Sequence, residues 1–333
     1  MINIVHLGIG PLGQKMVKYA VERGCFNIVG AVDPAADKAG RELGELCGIK
    51  PLGITVSSNL NDAIKGKRAE VALVTTVSSL VSLESQIVEL AKAKIHTVST
   101  CEELFFPWNT QPEVSSRIDK ICRENGVVCL GTGVNPGYLM DFLPTVLTGA
   151  CQDVKKVEVR RVQDASVRRV PFQRKIGAGL TVKEFEVKKK EGTLMHIGLP
   201  ESVDFIADRL GWKLDRRTES LEPVIADRDI DTGYKPISRG MVCGVYQVGR
   251  GFIDDKEVIT LIFKAAVGES EPYDQVHIDG QPTIQSRIAG GVNGDIATCA
   301  IALNAVRSVL EAGAGLRTMG EIPPIAYYIG GIG

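Results

Sequence analysis

The sequence predicts an α/β fold: a doubly wound parallel sheet over residues 1–135, followed over residues 136–333 by an α+β domain with a mostly antiparallel sheet. Three observations predict it. A glycine-rich turn joins the first apolar run to the first helical pattern; apolar runs and helical patterns then alternate to about residue 130; and beyond about residue 152 extended runs follow one another with few helices between. The length of 333 residues exceeds what one hydrophobic core usually fills, which supports two domains.

Residues 1–7 run apolar and extended into Gly8, Gly10 and Gly13, which fit G-x-G-x-x-G at a strand-to-helix turn. Met16, Val17, Ala20 and Val21 recur at helical spacing, Gly24 ends that pattern, and residues 26–32 read as a second parallel strand ending in Asp33. Such a Rossmann-type unit points to a dinucleotide. Gly8 permits the tight turn, Gly10 lets the backbone approach a pyrophosphate, Gly13 allows close helix packing, and the helix N-terminus favours phosphate charge. Pro11 and Leu12, inside the same loop, count as further cofactor contacts. Asp33 is placed to accept from the adenosine ribose hydroxyls and to repel a 2′-phosphate, a lean toward NAD. Lys38 and Arg41 follow within a turn or two and offset part of that charge, so the expected cofactor is NAD or NADP.

The alternation continues with strands at 54–56, 71–75, 96–99 and 127–130 and helical segments at 60–64, 83–93 and 114–124. Nearly continuous apolar strands imply a sheet covered on both faces, with ligands beyond the carboxyl ends. Three strand ends carry candidates. After the fourth strand, Thr75 and Thr76 offer hydroxyls to the cofactor, or the loop only caps the next helix through Ser78 or Ser79. After the fifth, Glu102 and Glu103 adjoin Leu104-Phe105-Phe106-Pro107-Trp108; desolvation beside aromatic rings raises a carboxyl pKa toward neutrality and suits proton transfer. Solvation, or capping of a helix, is the alternative for either glutamate. Cys101, next to them, reads as a packed thiol or a nucleophile.

The third strand end is Gly131-Thr132-Gly133-Val134-Asn135-Pro136-Gly137-Tyr138. Asn135 fits an N-cap and Pro136 the first position of a helix reaching 139–147. The glycines permit close backbone approach where the first domain hands over to the second, a usual place for a substrate cleft. Asn135 is expected on the cofactor, and Val134, Pro136 and Tyr138 on the substrate.

In the second half, Val154, Val157, Val159 and Val162 alternate partly with charged residues, and extended runs follow at 241–249, 257–266 and 274–278. Helical patterns lie near 203–210 and 296–310, and a C-terminal helix near 292–312 is able to pack back on the first domain. Arg174 and Lys175, before Gly177 and Gly179, are expected in a loop from which Lys175 reaches a substrate carboxylate, or as solvated cations. Arg161, Arg168, Arg169 and His196 are open to the same two readings. Gly290-Gly291-Val292-Asn293-Gly294-Asp295 leads into the last helix and touches the cofactor or only packs closely. An open-faced sheet here makes a symmetric homodimer the expected assembly.

The formal net charge of −1 argues against a nucleic-acid footprint. No apolar run approaches the ~18 residues that span a bilayer, and the N-terminus enters a strand-like run at once, so the protein is expected in the cytoplasm and off the membrane. The eight cysteines include no C-x-x-C pair, and no metal-ligand spacing is present.

Together, G-I-G-P-L-G at 8–13, S-T-C-E-E-L at 99–104, G-T-G-V-N-P-G-Y at 131–138 and K-I-G-A-G-L at 175–180 resemble the 2,4-diaminopentanoate dehydrogenase family, with native amine dehydrogenases as its wider group. The resemblance covers essentially the whole chain. It implies NAD(P)-dependent oxidative deamination of 2,4-diaminopentanoate to 2-amino-4-oxopentanoate and ammonia, a step of ornithine breakdown, or in reverse the reductive amination of a ketone. It implies no metal, and its catalytic glutamate falls on Glu102 or the adjacent Glu103. The N-terminal domain also resembles dihydrodipicolinate reductases, but their His-His pair is missing: His6, His96, His196 and His277 stand far apart. General amine dehydrogenation, imine reduction, a lyase or epimerase with tightly held NAD, and a non-catalytic NAD-binding protein are the alternatives.

Overall fold

The strand β1 (Ile2–Leu7) buries its last four residues, as a strand covered on both faces must. It feeds Gly8 at φ 91°, where a Cβ would lie 2.9 Å from the Thr75 backbone. Helix α1 (Pro11–Arg23) starts on a proline, whose missing N–H costs nothing there, and ends at Gly24 in the left-handed conformation. The alternation runs through β2 (Phe26–Val32), α2 (Leu43–Leu46), β3 (Val56–Ser57), α3 (Leu60–Ala63), β4 (Val71–Val74), α4 (Leu80–Lys92), β5 (His96–Ser99), a 3-10 turn (Glu102–Leu104), α5 (Pro112–Asn125) and β6 (Val128–Gly131). Next come α6 (Phe142–Thr148), β7 (Asp153–Asp164), α7 (Val170–Lys175), α8 (Val182–Lys190), α9 (Leu199–Leu210), β8 (Arg216–Ile225), β9 (Val242–Ile253), β10 (Lys256–Ala266), β11 (Tyr273–Gln281) and β12 (Ile284–Ala289). The chain closes with α10 (Gly294–Glu311) and β13 (Gly315–Arg317). This computed structural model describes all residues except 167, 169, 195, 233, 234 and 331–333, so Arg169 lies outside the described residues.

Two sheets result. The first has seven strands in the order β13-β6-β5-β4-β1-β2-β3, every neighbouring pair parallel. The second has six in the order β12-β11-β7-β10-β9-β8, antiparallel except between β7 and β10. The doubly wound parallel sheet and the mostly antiparallel one are those the sequence predicts. Boundaries move by up to four residues; β3 starts two residues late because Thr55 bridges back to Glu42 instead of joining the sheet.

The chain divides into two compact units, one of residues 1–138 with 293–333, the other of residues 139–292. The first break falls after Tyr138, three residues beyond 135, and the C-terminal segment, expected as a helix able to pack back on the first domain, belongs to the first unit from Asn293. There β13 pairs with β6 and shields what would otherwise be an open sheet edge. Helix α10 buries Cys299, Ile301, Ala302, Leu303, Ala305 and Val306 there. In the second unit α9 shares one core with the inner sheet face through Leu199, Val203 and Ile206. It lies close on β9, since a Cβ at Gly249 would come within 3.1 Å of Leu199.

Two local expectations fail for identifiable reasons. No helix starts at Asn135: Gly137 sits at φ 132°, outside helical space, and α6 begins only at Phe142, whose N–H donates to the Asp141 side chain at 2.7 Å. Arg174 and Lys175 are not in a loop but close α7, where cations suit the carbonyl end of a helix. Among the described residues no helix is long and apolar enough to cross a membrane, and no group of three or more His, Cys, Asp or Glu is placed to hold a metal.

Candidate active site

Register builds the site of the first unit. Val32 pairs with Leu7, Leu7 with Val74, Val74 with Ser99, and Ser99 with Gly131. Strands ~4.8 Å apart therefore end level with one another, and Asp33, Gly8, Thr75, Glu102 and Asn135 all follow from one edge of the sheet.

The three fingerprint glycines prove to be needed for different things. A Cβ at Gly13 would lie 2.0 Å from the Gly8 carbonyl, so this glycine serves the packing of α1 on its own loop. A Cβ at Gly10 would meet nothing within 4 Å. Gly10 is also the N-cap of α1 and provides no side-chain cap, leaving first-turn amides facing outward. Pro11 is exposed and Leu12 half-buried on this turn. Asp33, 7% exposed, ties the loop down: its carboxylate accepts from Ile9 N–H at 2.8 Å, Ala35 N–H at 3.0 Å and Lys38 Nζ at 2.9 Å. Burial pushes the carboxyl up, but these bonds, led by Lys38, outweigh it and hold it below its ordinary value.

Thr75 and Thr76 are at the edge with their hydroxyls already used. Thr75 Oγ1 donates to the Gly8 carbonyl at 2.8 Å, and Thr76 Oγ1 donates to Gln86 at 3.0 Å. Beneath them lies His6, which sequence reasoning passed over because one histidine in an apolar strand has no motif. Its ring is buried beside Thr75 Oγ1 at 3.4 Å, and burial lowers it to about 4, hydrogen bonding at Gly8 offsetting only part.

The two glutamates separate. Glu103 Oε2 accepts from Leu80 N–H at 2.7 Å and from Gln111 Nε2 at 2.7 Å, so it caps α4 in place of the expected Ser78 or Ser79. Ser79 stands at the N-cap but makes no side-chain bond, and the neighbouring carboxylate meets the positive helix end instead. Glu102 is half-buried at the start of the 3-10 turn. That turn rests on the end of β6, where a Cβ at Gly131 would lie 2.6 Å from the Leu104 carbonyl carbon, and is anchored by buried Leu104, Phe105 and Phe106. Burial pushes the Cys101 thiol up to about 12, which leaves it protonated at neutral pH and removes the nucleophile reading.

The loop 131–138 is held within the first unit. Thr132 Oγ1 donates to Met319 Sδ at 3.0 Å and Val134 N–H to Thr298 Oγ1 at 3.3 Å. Gly137 is explained by the chain itself, since a Cβ there would sit 2.2 Å from Gly133 N. Its close approach is to protein, not to a ligand. Asn135 differs: 8% exposed, it has neither its amide oxygen nor its nitrogen bonded to protein, an arrangement expected where a ligand supplies the partners. Pro136 is buried beside it and Tyr138 half-buried.

In the second unit Arg174 is exposed, but Arg161, Arg168 and His196 are packed against protein. Arg161 is 1% exposed, donates to Asp274 at 2.6 Å and to the Val292 carbonyl at 3.0 Å. Arg168 donates to Gln163 at 3.3 Å and lies 4.2 Å from the centre of the Phe172 ring. His196 stacks on Phe263 at 4.5 Å, and its backbone is clamped by Gln247 at 2.8 and 2.9 Å. Burial first, then the charges of Lys175, Arg161 and Arg168, pull His196 down to about 3, so its ring is neutral. His196 Nε2 and Gln173 Oε1 are buried without protein partners. Gln173 carried no signal, because its setting exists only once α7 has folded.

A profile of the 2,4-diaminopentanoate dehydrogenase C-terminal domain matches residues 138–332. The 2,4-diaminopentanoate dehydrogenase of Acetoanaerobium sticklandii is 32% identical over 338 residues, spanning 97% of this chain and 93% of that one. A 4-hydroxy-tetrahydrodipicolinate reductase of Trichlorobacter lovleyi is 35% identical over 86 residues, 25% of this chain and 32% of its own. Among solved structures, the amine dehydrogenase from Mycobacterium smegmatis superposes with a TM-score of 0.86 at 22% identity, over 98% of both chains. A dihydrodipicolinate reductase from Paenisporosarcina gives 0.51 at 13% identity, over 93% and 95%. At such identities the structural likeness is one of fold. The family profile and the full-length relative carry the assignment: this chain belongs to the 2,4-diaminopentanoate dehydrogenase family and is an enzyme of the dehydrogenase class.

Proposed function

We propose that the chain is an NAD(P)-dependent amine dehydrogenase acting on 2,4-diaminopentanoate. One observation carries the reading: a single sheet edge bears an open glycine loop at Gly10, a buried amide without protein partners at Asn135, and the half-buried carboxylate of Glu102. The choice of substrate is supported by the full-length likeness to the Acetoanaerobium sticklandii enzyme.

The residues fit a nicotinamide dinucleotide. The uncapped first turn of α1, with Gly8, Gly10, Pro11, Leu12 and Gly13, would hold the pyrophosphate, and Asn135 has both a donor and an acceptor free for a carboxamide. Thr75 and Thr76 are assigned to shaping that site, since their hydroxyls are already bonded to protein. When bound, the oxidised cofactor supplies the hydride acceptor.

The balance is the protonated amine, NAD(P)+ and water giving ketone, ammonium, NAD(P)H and a proton. Loss of hydride from the carbon bearing nitrogen leaves an iminium cation on the substrate. Glu102 is assigned to stabilise that cation and to take a proton from the water that attacks it. Glu103 is not assigned to proton transfer, because Leu80 and Gln111 already bond its carboxylate. Val134, Pro136, Tyr138 and Lys175 are assigned to the substrate. The positive charge of Lys175 and Arg168 has the sign that a substrate carboxylate requires.

The test is formation of reduced cofactor, followed by absorbance, with NAD+ or NADP+ and a panel of 2,4-diaminopentanoate, ornithine, alanine and simple secondary amines. Turnover confined to the diamino acid is the expected result. Turnover of simple amines would replace it by general amine dehydrogenation, and none with any amine would overturn the reading.

A further inference from the structure

We propose that Gln173 and His196 read the α-amino acid end of the substrate: the side-chain oxygen of Gln173 accepts from the ammonium at C2, which makes Gln173 the residue that selects the diamino acid over an amine lacking that group. The inference deepens the function proposed above and rests on its choice of substrate.

Strand pairing builds the surroundings within the second unit. Phe263 of β10 stands opposite Arg161 of β7 on one side and Gln247 of β9 on the other, and Arg161 stands opposite Asp274 of β11. One row of the inner sheet face is therefore largely polar, although the next row carries Val159, Leu261 and Val276. That row satisfies itself. Arg161 donates to Asp274 at 2.6 Å, Asp274 also accepts from Val292 N–H at 2.7 Å, and Gln247 clamps the His196 backbone at 2.8 and 2.9 Å. Two side chains packed around it do not follow suit. His196 stacks on Phe263 with its Nε2 buried and unpaired, and Gln173 of α7, 3% exposed, has its Oε1 in the same condition. Buried polar atoms in folded proteins nearly always have partners, so these point to a ligand that supplies them.

Gln173 presents one atom only. Its Nε2 donates to the Arg168 carbonyl at 3.0 Å, and a flipped amide would set oxygen against oxygen, so Oε1 is what remains to be paired. An acceptor takes an N–H and rejects a carboxylate. The charges of Lys175, two residues further along α7, and of Arg168 both reach the His196 ring, and cations take a carboxylate. An acceptor accompanied by two cations matches a zwitterion, with ammonium and carboxylate on neighbouring atoms. The neutral His196 ring serves either half: with the proton on Nε2 it donates to the carboxylate, and with the lone pair there it accepts from the ammonium. A substrate without the C2 amine would leave Gln173 Oε1 buried and unpaired, which is how a hydrogen-bonding site rejects an analogue.

The test is kcat/KM of the full chain for 2,4-diaminopentanoate and for 4-aminopentanoate, which lacks only the C2 amine, in the wild type, Gln173→Met, His196→Phe and Lys175→Met, with melting temperatures to show that each variant is folded. The wild type should prefer the diamino acid by about tenfold or more. Gln173→Met should lower the diamino acid by about tenfold or more and keep 4-aminopentanoate within about threefold, so that the preference disappears. His196→Phe, which retains a ring for Phe263, should lower the diamino acid by about threefold or more. Lys175→Met should lower both substrates alike, since both carry the carboxylate. Equal losses on both substrates in Gln173→Met, the mark of a purely structural role, or an unchanged preference would overturn the subsite, and no effect of His196→Phe would remove His196 from it. A wild type that oxidises both substrates equally well would overturn the subsite and leave amine dehydrogenation standing. A wild type that oxidises neither would overturn the proposed function, and the subsite with it.

Discussion

In the first unit the polar side chains at the strand ends bond to backbone: Asp33 to Ile9 and Ala35, Thr75 to Gly8, Glu103 to Leu80. In the second unit three buried or half-buried contacts join one polar side chain to another: Arg161 to Asp274, Arg168 to Gln163, Gln247 to Glu219. A side chain that braces a loop is replaceable by any group that presents the same donor or acceptor there. A buried side-chain pair is not, because removing one member strands a charge in a medium that solvates it poorly. The two regions should therefore answer mutation differently.

The largest effect is expected in the second unit. Arg161→Met leaves Asp274 buried without its cation and should cost about 3–5 kcal/mol in denaturant unfolding. The double variant with Asp274→Leu should recover most of it. A single-variant cost below about 1 kcal/mol would mean that water reaches the pair, and the contrast between the units would fail.

Next comes His6, under the glycine loop. Its folded value of about 4 lies below the ordinary 6.5, so the unfolded chain binds the proton more readily. The stability that the neutral ring contributes is complete above about pH 6.5 and is lost as pH falls toward 4, up to about 3 kcal/mol. Melting temperatures between pH 7 and 4 should fall less steeply for His6→Gln than for the wild type. Parallel curves would remove His6 as the source.

The smallest effect on stability, and the sharpest on binding, is expected at Gly10. Gly10→Ala meets no protein atom within 4 Å, so unfolding should move by no more than about 0.5 kcal/mol while dinucleotide affinity falls by about tenfold or more. Gly13→Ala should do the reverse and destabilise the fold, since its Cβ would sit 2.0 Å from the Gly8 carbonyl.

The same division governs what the sequence made legible. The strand-turn-helix unit from Ile2 to Asp33, the order of strand ends and the pairing of Glu102 with an aromatic run are local, and each could be read from neighbouring residues. The return of α10 was open to the sequence as a C-terminal helix able to pack back, whereas β13 is three residues long and pairs with a strand far away in the chain, so no periodicity announces it. Asn135 looked like a helix cap, because Asn before Pro is good capping chemistry; the left-handed Gly137 two residues on decided otherwise. Arg161 was open between a substrate contact and solvation, and its buried partner Asp274, 113 residues away, was not legible beside it. Glu103 stayed beside Glu102 as a candidate because they adjoin in sequence, and the bonds from Leu80 and Gln111 that make Glu103 a helix cap join residues the sequence does not place together.

That distinction supplies the most direct measurement of the central claim: turnover of 2,4-diaminopentanoate by Glu102→Gln and Glu103→Gln, with cofactor affinity measured alongside. Glu102→Gln should lose about 10²-fold or more in kcat with dinucleotide affinity nearly unchanged. Glu103→Gln, which keeps an acceptor for Leu80, should stay within about threefold of the wild type. Retained turnover in Glu102→Gln, or an equal collapse in Glu103→Gln with the protein still folded, would contradict the assignment of proton transfer to Glu102.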